Sequence, residues 1–297
     1  MMHLHRILFP TDGSVCAERA RRHALHLAHR FDASVHVIQV EERDADLSDV
    51  IEVREADVLG DLDIPTNGLD AVAAPRIQER RVIHPSAADG ILSYAVEHDA
   101  HLIVLGTHGR RGVQRMILGS VAETVVRRAP CPVFTVGRNA RRPASVEGDN
   151  LLVPVDFSDH QPRLLAHARE LTRAYGLTLT LLHVVRVPAR PKAYGSSRSR
   201  PSPEELRNRS ENALTEEAAA LQHDGVDARV EVRSGHPVEE IIDVADDLDA
   251  ALLAIATHGR AGVQRMLMGS VAETVIRRAP CPVFTVKSFG RSLVSEP

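Results

Sequence analysis

The chain has 297 residues, of which 43% are hydrophobic and 26% are charged, and its formal net charge is −4. This length accommodates two ordinary domains, and the composition is that of a globular protein. The slightly acidic balance gives no basic field to attract nucleic acid, and no apolar run reaches the roughly 18 residues that a membrane span needs. Because the first residues also lack the apolar core of a signal peptide, we expect a cytoplasmic protein without nucleic-acid or membrane partners.

The chain begins with alternating strands and helices. An apolar run at 6–10 leads into a Thr-Asp-Gly-Ser turn and predicts a buried strand, and 15–31 has the apolar face of an amphipathic helix. Further strands are predicted at 34–40 and 76–84. The acidic stretch 41–63 between them is interpreted as a solvated surface helix and loop.

Three histidines lie opposite the apolar face of the helix at 15–31. His23, His26 and His29 spread over roughly 120° of the helix circumference. A metal site is one interpretation, but no carboxylate joins them at ligand spacing. We therefore expect a solvated face.

A helix at 86–98 and a near-continuously apolar strand at 101–106 come next, followed by a glycine-containing loop. Such an apolar strand is typical of a sheet with helices on both faces. A helix at about 120–129 and a closing strand at 131–136 complete this half. Residues 137–150 have the composition of a linker.

The block Thr107–Val136 returns as Thr257–Val286, with four differences in 30 positions. A repeat of this length indicates a duplicated domain, so we predict one domain at 1–138 and a second at 149–288. The second half repeats the element order: residues 151–158 match the first strand and turn, further strands are predicted at 177–185, 228–235, 251–256 and 281–286, and helices at 204–224 and 237–247. Strands that alternate with helices predict, in each half, an open doubly wound sheet of five parallel strands.

The repeated block contains the spacing Gly106-x2-Gly109-x9-Gly119-Ser120 after an apolar strand and before a helix. Glycines let the backbone approach a ligand closely, and the N-terminus of a helix offers N–H groups and a positive dipole end to phosphate. Ser120 and Glu123 also match an S-x-x-E capping box, as do Ser270 and Glu273 in the second half. The serine therefore either caps its helix or lies beside a phosphate, and the two roles are compatible.

The place of this loop in the fold favours a ligand site. For the strand order 3-2-1-4-5, the order reverses between strands 1 and 4, and ligands bind at the carboxyl ends of the strands there. Asp12 follows strand 1 and Gly106 ends strand 4, so we expect Asp12 to face the glycine loop. Asp12 either accepts hydrogen bonds from a base amine or ribose hydroxyl, or caps the helix that follows it.

Together, ILFPTDGS, LLVPVDFS, the G-x2-G-x9-G-S loop and the closing APCPVFTV resemble tandem universal stress proteins over almost the whole chain. The resemblance implies the strand order 3-2-1-4-5 in each half, binding of an adenine nucleotide (ATP, alone or with Mg²⁺), and pairing of domains or subunits through the closing strands 131–136 and 281–286. The implied binding residues are Pro10, Asp12, Val40, Gly106, Gly109, Gly119, Ser120 and Val121 in the first half, and Asp156, Val184, Gly259, Gly269, Ser270 and Val271 in the second.

The second half departs from the loop pattern at Ala256, which stands where the first half has Gly106. Because a methyl group there could weaken or tilt a bound nucleotide, we expect the first half to hold the stronger site. The sequence favours a regulatory, stress-response nucleotide-binding protein, since no nucleophile or general base is evident beside the loop. His108 and His258 leave slow ATP hydrolysis open as an alternative, and a scaffold that binds no nucleotide is another.

Overall fold

The computed structural model describes residues 2–43, 52–55, 75–109, 118–138, 140, 150–186, 202–257 and 268–295. The elements of the first half are β1 (Arg6–Pro10), α1 (Val15–Phe31), β2 (Ser34–Glu42), β3 (Glu52–Glu55), β4 (Ile77–His84), α2 (Ala87–Glu97), β5 (Leu102–Gly106), α3 (Ser120–Arg128) and β6 (Val133–Val136). Those of the second half are β7 (Asn150–Pro154), α4 (Gln161–Tyr175), β8 (Thr178–Val185), α5 (Pro203–His223), β9 (Ala228–Ser234), α6 (Pro237–Asp247), β10 (Leu252–Ala256), α7 (Ser270–Arg278) and β11 (Val283–Val286). No helix among these described residues is long and apolar enough to cross a membrane.

All the strands belong to one sheet, in the order β3-β4-β2-β1-β5-β6-β11-β10-β7-β8-β9. In each half, the five strands that the sequence predicts are parallel and follow the order 3-2-1-4-5, which confirms the predicted fold class. Helices α1, α4 and α5 contribute to the core on one face of the sheet. Helices α2, α3, α6 and α7 contribute to the core on the other face.

The acidic stretch of the first half contains a strand that the sequence did not predict. Strand β3 pairs antiparallel with β4, with Glu52 opposite Ile83 and Glu55 opposite Arg80. Without β3, one side of β4 would present unpaired backbone groups, which a short added strand satisfies. The interpretation of 52–55 as part of a surface helix and loop was therefore wrong. Residues 44–51 and 56–63 of that stretch lie outside the described residues.

The two halves are joined through their closing strands. Strand β6 pairs antiparallel with β11, and Phe134 lies opposite Phe284 at the centre of the pairing. The Thr135 hydroxyl donates to the carbonyl of Val283 at 3.2 Å, and the Thr285 hydroxyl donates to the carbonyl of Val133 at 2.9 Å. The expected pairing of closing strands is thus made within the chain. Each of these strands has neighbours on both sides and offers no free edge to a second subunit.

Two of the histidines expected to face solvent are at the junction of the halves. His23 is only 8% exposed, and its Nδ1 lies 3.2 Å from the hydroxyl of Tyr175 in the second half. The Nε2 of His26 lies 3.2 Å from the carbonyl oxygen of Ala174. The expectation of a solvated face was wrong for both, because helix α4 covers this side of α1. Burial lowers the pKa of His23 to about 3.

The segment after β11 crosses from the second half to the first. The ammonium group of Lys287 donates to the carbonyl of Ala129 at 2.6 Å, and the N–H of Arg291 donates to the carbonyl of Pro130 at 2.7 Å. Farther along, the Leu293 N–H donates to Nε2 of His167 at 3.1 Å, and Val294 forms a β-bridge with Met2. This C-terminal segment therefore connects helix α4 to both ends of the first half.

Candidate functional site

The expected crevice of the first half brings Asp12 and Gly109 together. The Oδ1 atom of Asp12 accepts a hydrogen bond from the N–H of Ser14 at 3.0 Å. A Cβ atom added to Gly109 would lie 2.7 Å from Oδ2 of Asp12, so a side chain at this position would displace the carboxylate. Asp12 does not cap helix α1, because the hydroxyl oxygen of Ser14 accepts the N–H of Ala17 at 3.2 Å. The carboxylate is therefore positioned at the crevice by a turn.

Ser14 also holds the loop against the start of α1. Its hydroxyl donates to the carbonyl of His108 at 3.0 Å, and the Thr107 hydroxyl lies 2.8 Å from Nδ1 of His108. Burial raises the pKa of the neighbouring Cys16 thiol, which keeps it protonated. His258, the repeat counterpart of His108, lies outside the described residues. In the first half, His108 thus belongs to the packing between the loop and helix α1.

The backbone at Gly106 lies close to helix α1, where a side chain would not fit. A Cβ atom at this position would lie 2.7 Å from the backbone nitrogen of Ala17 and 2.7 Å from the carbonyl carbon of Cys16. In the second half, α4 begins five residues after Asp156, whereas α1 begins three residues after Asp12. We infer that the later start of α4 leaves room for the methyl group of Ala256. The presence of Ala256 therefore gives no reason to expect a weaker site in the second half.

Helices α3 and α7 both begin without a side-chain cap. Gly119 and Gly269 are the N-cap residues, and Ser120 and Ser270 are already the first helical residues, with exposed side chains. The interpretation of these serines as capping boxes was wrong, because the capping oxygen must come from the residue before the first helical one. The N–H groups of Gly119 and Gly269 instead donate to Thr107 and Thr257 carbonyls at 2.9 and 2.8 Å. The helix starts are thereby held beside the ends of β5 and β10, and neither N-cap residue makes a side-chain hydrogen bond to its first turn.

The second half contains a cavity of about 700 Å³ at the carboxyl ends of β7 and β10. Its size is within the usual range of small-molecule sites. Of the residues that the resemblance implies for this half, the cavity is lined by Asp156, Val184, Gly269, Ser270 and Val271. Gly259 lies outside the described residues.

The nonglycine site residues of the first half take equivalent positions. Pro10 ends β1 and is buried, and Val40 lies in β2 opposite Val82 of β4. Val40 and Val121 are half-buried and pack against the core on the face of α2 and α3. The described part of the first-half crevice therefore has the same framework as the second.

Several cavity residues were not identified from the sequence. The Asp156 turn and the end of β8 contribute Phe157 and His183, whose ring centroids are 4.6 Å apart. Helix α4 contributes Leu164 to the cavity wall. Helix α5 contributes the apolar side chains of Leu206 and Ala213 and the polar side chains of Arg209 and Ser210. The available signal was the well-formed helical pattern at 204–224, but sequence spacing does not show that this helix reaches the crevice.

The comparisons with known proteins agree with this fold. A family model described as "Universal stress protein family" matches residues 3–137 and 148–287. Universal stress protein MJ0531 of Methanocaldococcus jannaschii is 34% identical over 142 residues, which are 44% of this chain and 81% of that protein. Universal stress protein Rv2005c of Mycobacterium tuberculosis is 28% identical over 197 residues, and the match spans 65% of this chain and 63% of that relative.

A solved structure shares the fold over almost the whole chain. The putative universal stress protein from Pseudomonas aeruginosa UCBPP-PA14 superposes with a TM-score of 0.69 at 19% sequence identity. The superposition covers 96% of this chain and 93% of that one. The tandem arrangement of both halves is therefore also found in another protein.

Proposed function

Because the chain belongs to the universal stress protein family, we propose that it binds an adenine nucleotide, ATP in particular, with or without Mg²⁺, as part of a stress response. In the second half the nucleotide occupies the crevice at the carboxyl ends of β7 and β10. The equivalent crevice between β1 and β5 serves the first half. The observation that carries the proposal is the cavity of about 700 Å³, whose wall includes Asp156, Val184 and the start of α7.

Different parts of this cavity suit different parts of a nucleotide. The start of α7 at Gly269 and Ser270 has no side-chain cap, so its N–H groups and the positive end of its dipole are suited to phosphates. Asp156 supplies an acceptor for a ribose hydroxyl or a base amine, and Val184 supplies apolar contact to the nucleoside. The arrangement therefore has an anion-binding region and a nucleoside-binding region within one cavity.

The polar groups of the cavity favour binding over rapid turnover. The carboxylate of Asp156 accepts the N–H of Ser158 at 3.1 Å, and Nδ1 of His183 lies 2.8 Å from the carbonyl oxygen of Val155. These contacts hold the turn after β7 and the end of β8, so both groups position the backbone. We propose a regulatory protein in which hydrolysis of ATP is at most slow.

Mass analysis of the ligand released on denaturation, together with calorimetry of ATP in the presence of Mg²⁺, tests this proposal. We expect released adenine nucleotide, or a saturable binding heat once the protein has been stripped of ligand. Absence of both would contradict the proposal. Steady turnover of roughly 1 to 10³ per second would instead identify a dedicated enzyme.

A further inference from the structure

The second-half cavity has aromatic residues at two positions where the first half has none. The rings of Phe157 and His183 pack with a centroid distance of 4.6 Å and an interplanar angle of 45°, and both side chains line the cavity. The matching residues of the first half are Gly13, directly after Asp12, and Gln39, directly before Val40. The duplicated halves therefore differ in the chemistry of the nucleoside-binding region.

Phe157 occupies a backbone conformation that favours glycine. Its φ is 56°, and the matching Gly13 has a φ of 70°. A residue with a Cβ is disfavoured in this left-handed region, and such residues cluster at ligand sites. The turn thus has the same shape in both halves, but only the second uses it to present an aromatic ring.

The orientation of His183 is set by the end of β7. Its Nδ1 lies within hydrogen-bond distance, 2.8 Å, of the Val155 carbonyl oxygen, which requires Nδ1 to carry the proton in the neutral ring. Leu164 of α4 and Leu206 and Ala213 of α5 add apolar side chains to the same cavity. A planar ligand group in this cavity would contact both rings and the surrounding apolar side chains.

We propose that Phe157 and His183 form an aromatic wall on which the nucleotide base stacks, and that this wall makes the second half the tighter of the two nucleotide sites. The inference rests on the proposed nucleotide binding. Base stacking on aromatic side chains contributes enough to change affinity by about tenfold or more, and it tolerates any base. The proposed order of affinity is the reverse of the one expected from Gly106 and Ala256.

The test uses the full chain, stripped of ligand, and titrated with 1,N⁶-etheno-ATP, whose fluorescence is quenched when its base stacks. We expect a tighter, quenched phase in the wild-type titration. Phe157→Leu keeps an apolar side chain in the same backbone conformation but removes the ring, and His183→Gln installs the residue type of the first half. Each should weaken the tighter phase about tenfold and reduce its quenching.

Phe31→Leu is the matched control, because Phe31 is a half-buried phenylalanine at the end of α1. It should leave both binding phases unchanged. Circular dichroism confirms folding of each variant, and His183→Gln tests the wall alone if Phe157→Leu fails to fold. If wild type binds but neither cavity variant changes affinity or quenching, the aromatic wall is refuted and nucleotide binding stands. If wild type does not bind at all, the proposed function itself fails.

Discussion

The rings of Phe134 and Phe284 meet edge to face at the junction of the two halves, with centroids 6.3 Å apart and planes at 69°. His23 packs on Phe134 with a centroid distance of 4.8 Å, and His167 packs on Phe284 at 5.9 Å. Each half thus contributes one phenylalanine from its closing strand and one histidine from its first helix. The junction is a shared core with matching contributions from both halves.

Removing either phenylalanine should destabilise the whole chain. Phe134→Ala and Phe284→Ala each leave a cavity in a fully buried position, at a cost of about 3–5 kcal/mol in the free energy of unfolding. Because both halves share this core, denaturant unfolding should remain a single transition. Phe31→Ala, at a half-buried position outside the junction, is the control and should cost less. Separate transitions for the two halves would contradict a shared core.

Gly106→Ala at the end of β5 and Ala256→Gly at the end of β10 should change the free energy of unfolding by unequal amounts. Gly106→Ala places a methyl group 2.7 Å from the backbone of α1 and should destabilise the protein by about 1–3 kcal/mol. Ala256→Gly meets no such clash and should cost about 1 kcal/mol or less. Thermal or denaturant unfolding of the two variants measures this difference. Equal costs would show that the later start of α4 is not what accommodates Ala256.

The C-terminal segment should contribute to the stability of both halves. Leu293 is fully buried (0% exposed), so Leu293→Ala should cost about 2–5 kcal/mol. Val15→Ala removes apolar atoms from a side chain that is 71% exposed and should have little effect. Denaturant titration compares the two variants. A Leu293→Ala protein as stable as wild type would mean that this segment is not part of the cooperative fold.

Acid should weaken the junction between the halves. Burial lowers the pKa of His167 to about 4 and that of His23 to about 3, against an ordinary value of 6.5. The unfolded chain protonates these two histidines at a higher pH than the folded protein does. The contribution of the neutral histidines to the free energy of unfolding is therefore fully present above about pH 6.5 and is lost as the pH falls through their folded pKa values. The His167 shift corresponds to about 3 kcal/mol.

The free energy of unfolding, measured between pH 7 and pH 4, should therefore decrease with falling pH, and His167→Gln should make that decrease shallower. His3 serves for comparison, because its side chain is exposed, and His3→Gln should preserve the wild-type slope. A wild-type slope in the His167→Gln variant would contradict the predicted role of His167.

The sequence predicted the elements that depend on local periodicity. The bounds predicted for α1 are those of Val15–Phe31, and the predicted strand order is correct in both halves. The strand at 52–55 was missed because an exposed edge strand forms through backbone pairing and needs no apolar alternation. His23 and His26 were placed in solvent because helical periodicity shows which residues share a face, while the helix that covers that face comes from the other half.

Prediction of the site from the sequence was limited in the same way, because contacts between distant segments are not visible in the sequence. The predicted strand order led us to expect Asp12 opposite the glycine loop, and Asp12 and Gly109 do lie together, but the sequence did not show that Gly106 meets helix α1. Phe157 was not among the predicted site residues, since only the backbone angle shows that it adopts a glycine conformation beside a cavity. Contacts between segments distant in sequence decide these roles.

We propose above all that the crevice at the start of α7 binds ATP. Calorimetric titration of ligand-free protein with ATP and Mg²⁺ tests it most directly, with Gly269→Val as the paired variant, because a Cβ at Gly269 lies 3.2 Å from the Thr257 carbonyl oxygen at the start of that helix. Saturable ATP binding by the wild-type protein, with the second-half site weakened at least tenfold in the variant, is the predicted result. No binding heat in the wild-type protein, or identical isotherms for both proteins, would show that ATP does not bind at this helix start.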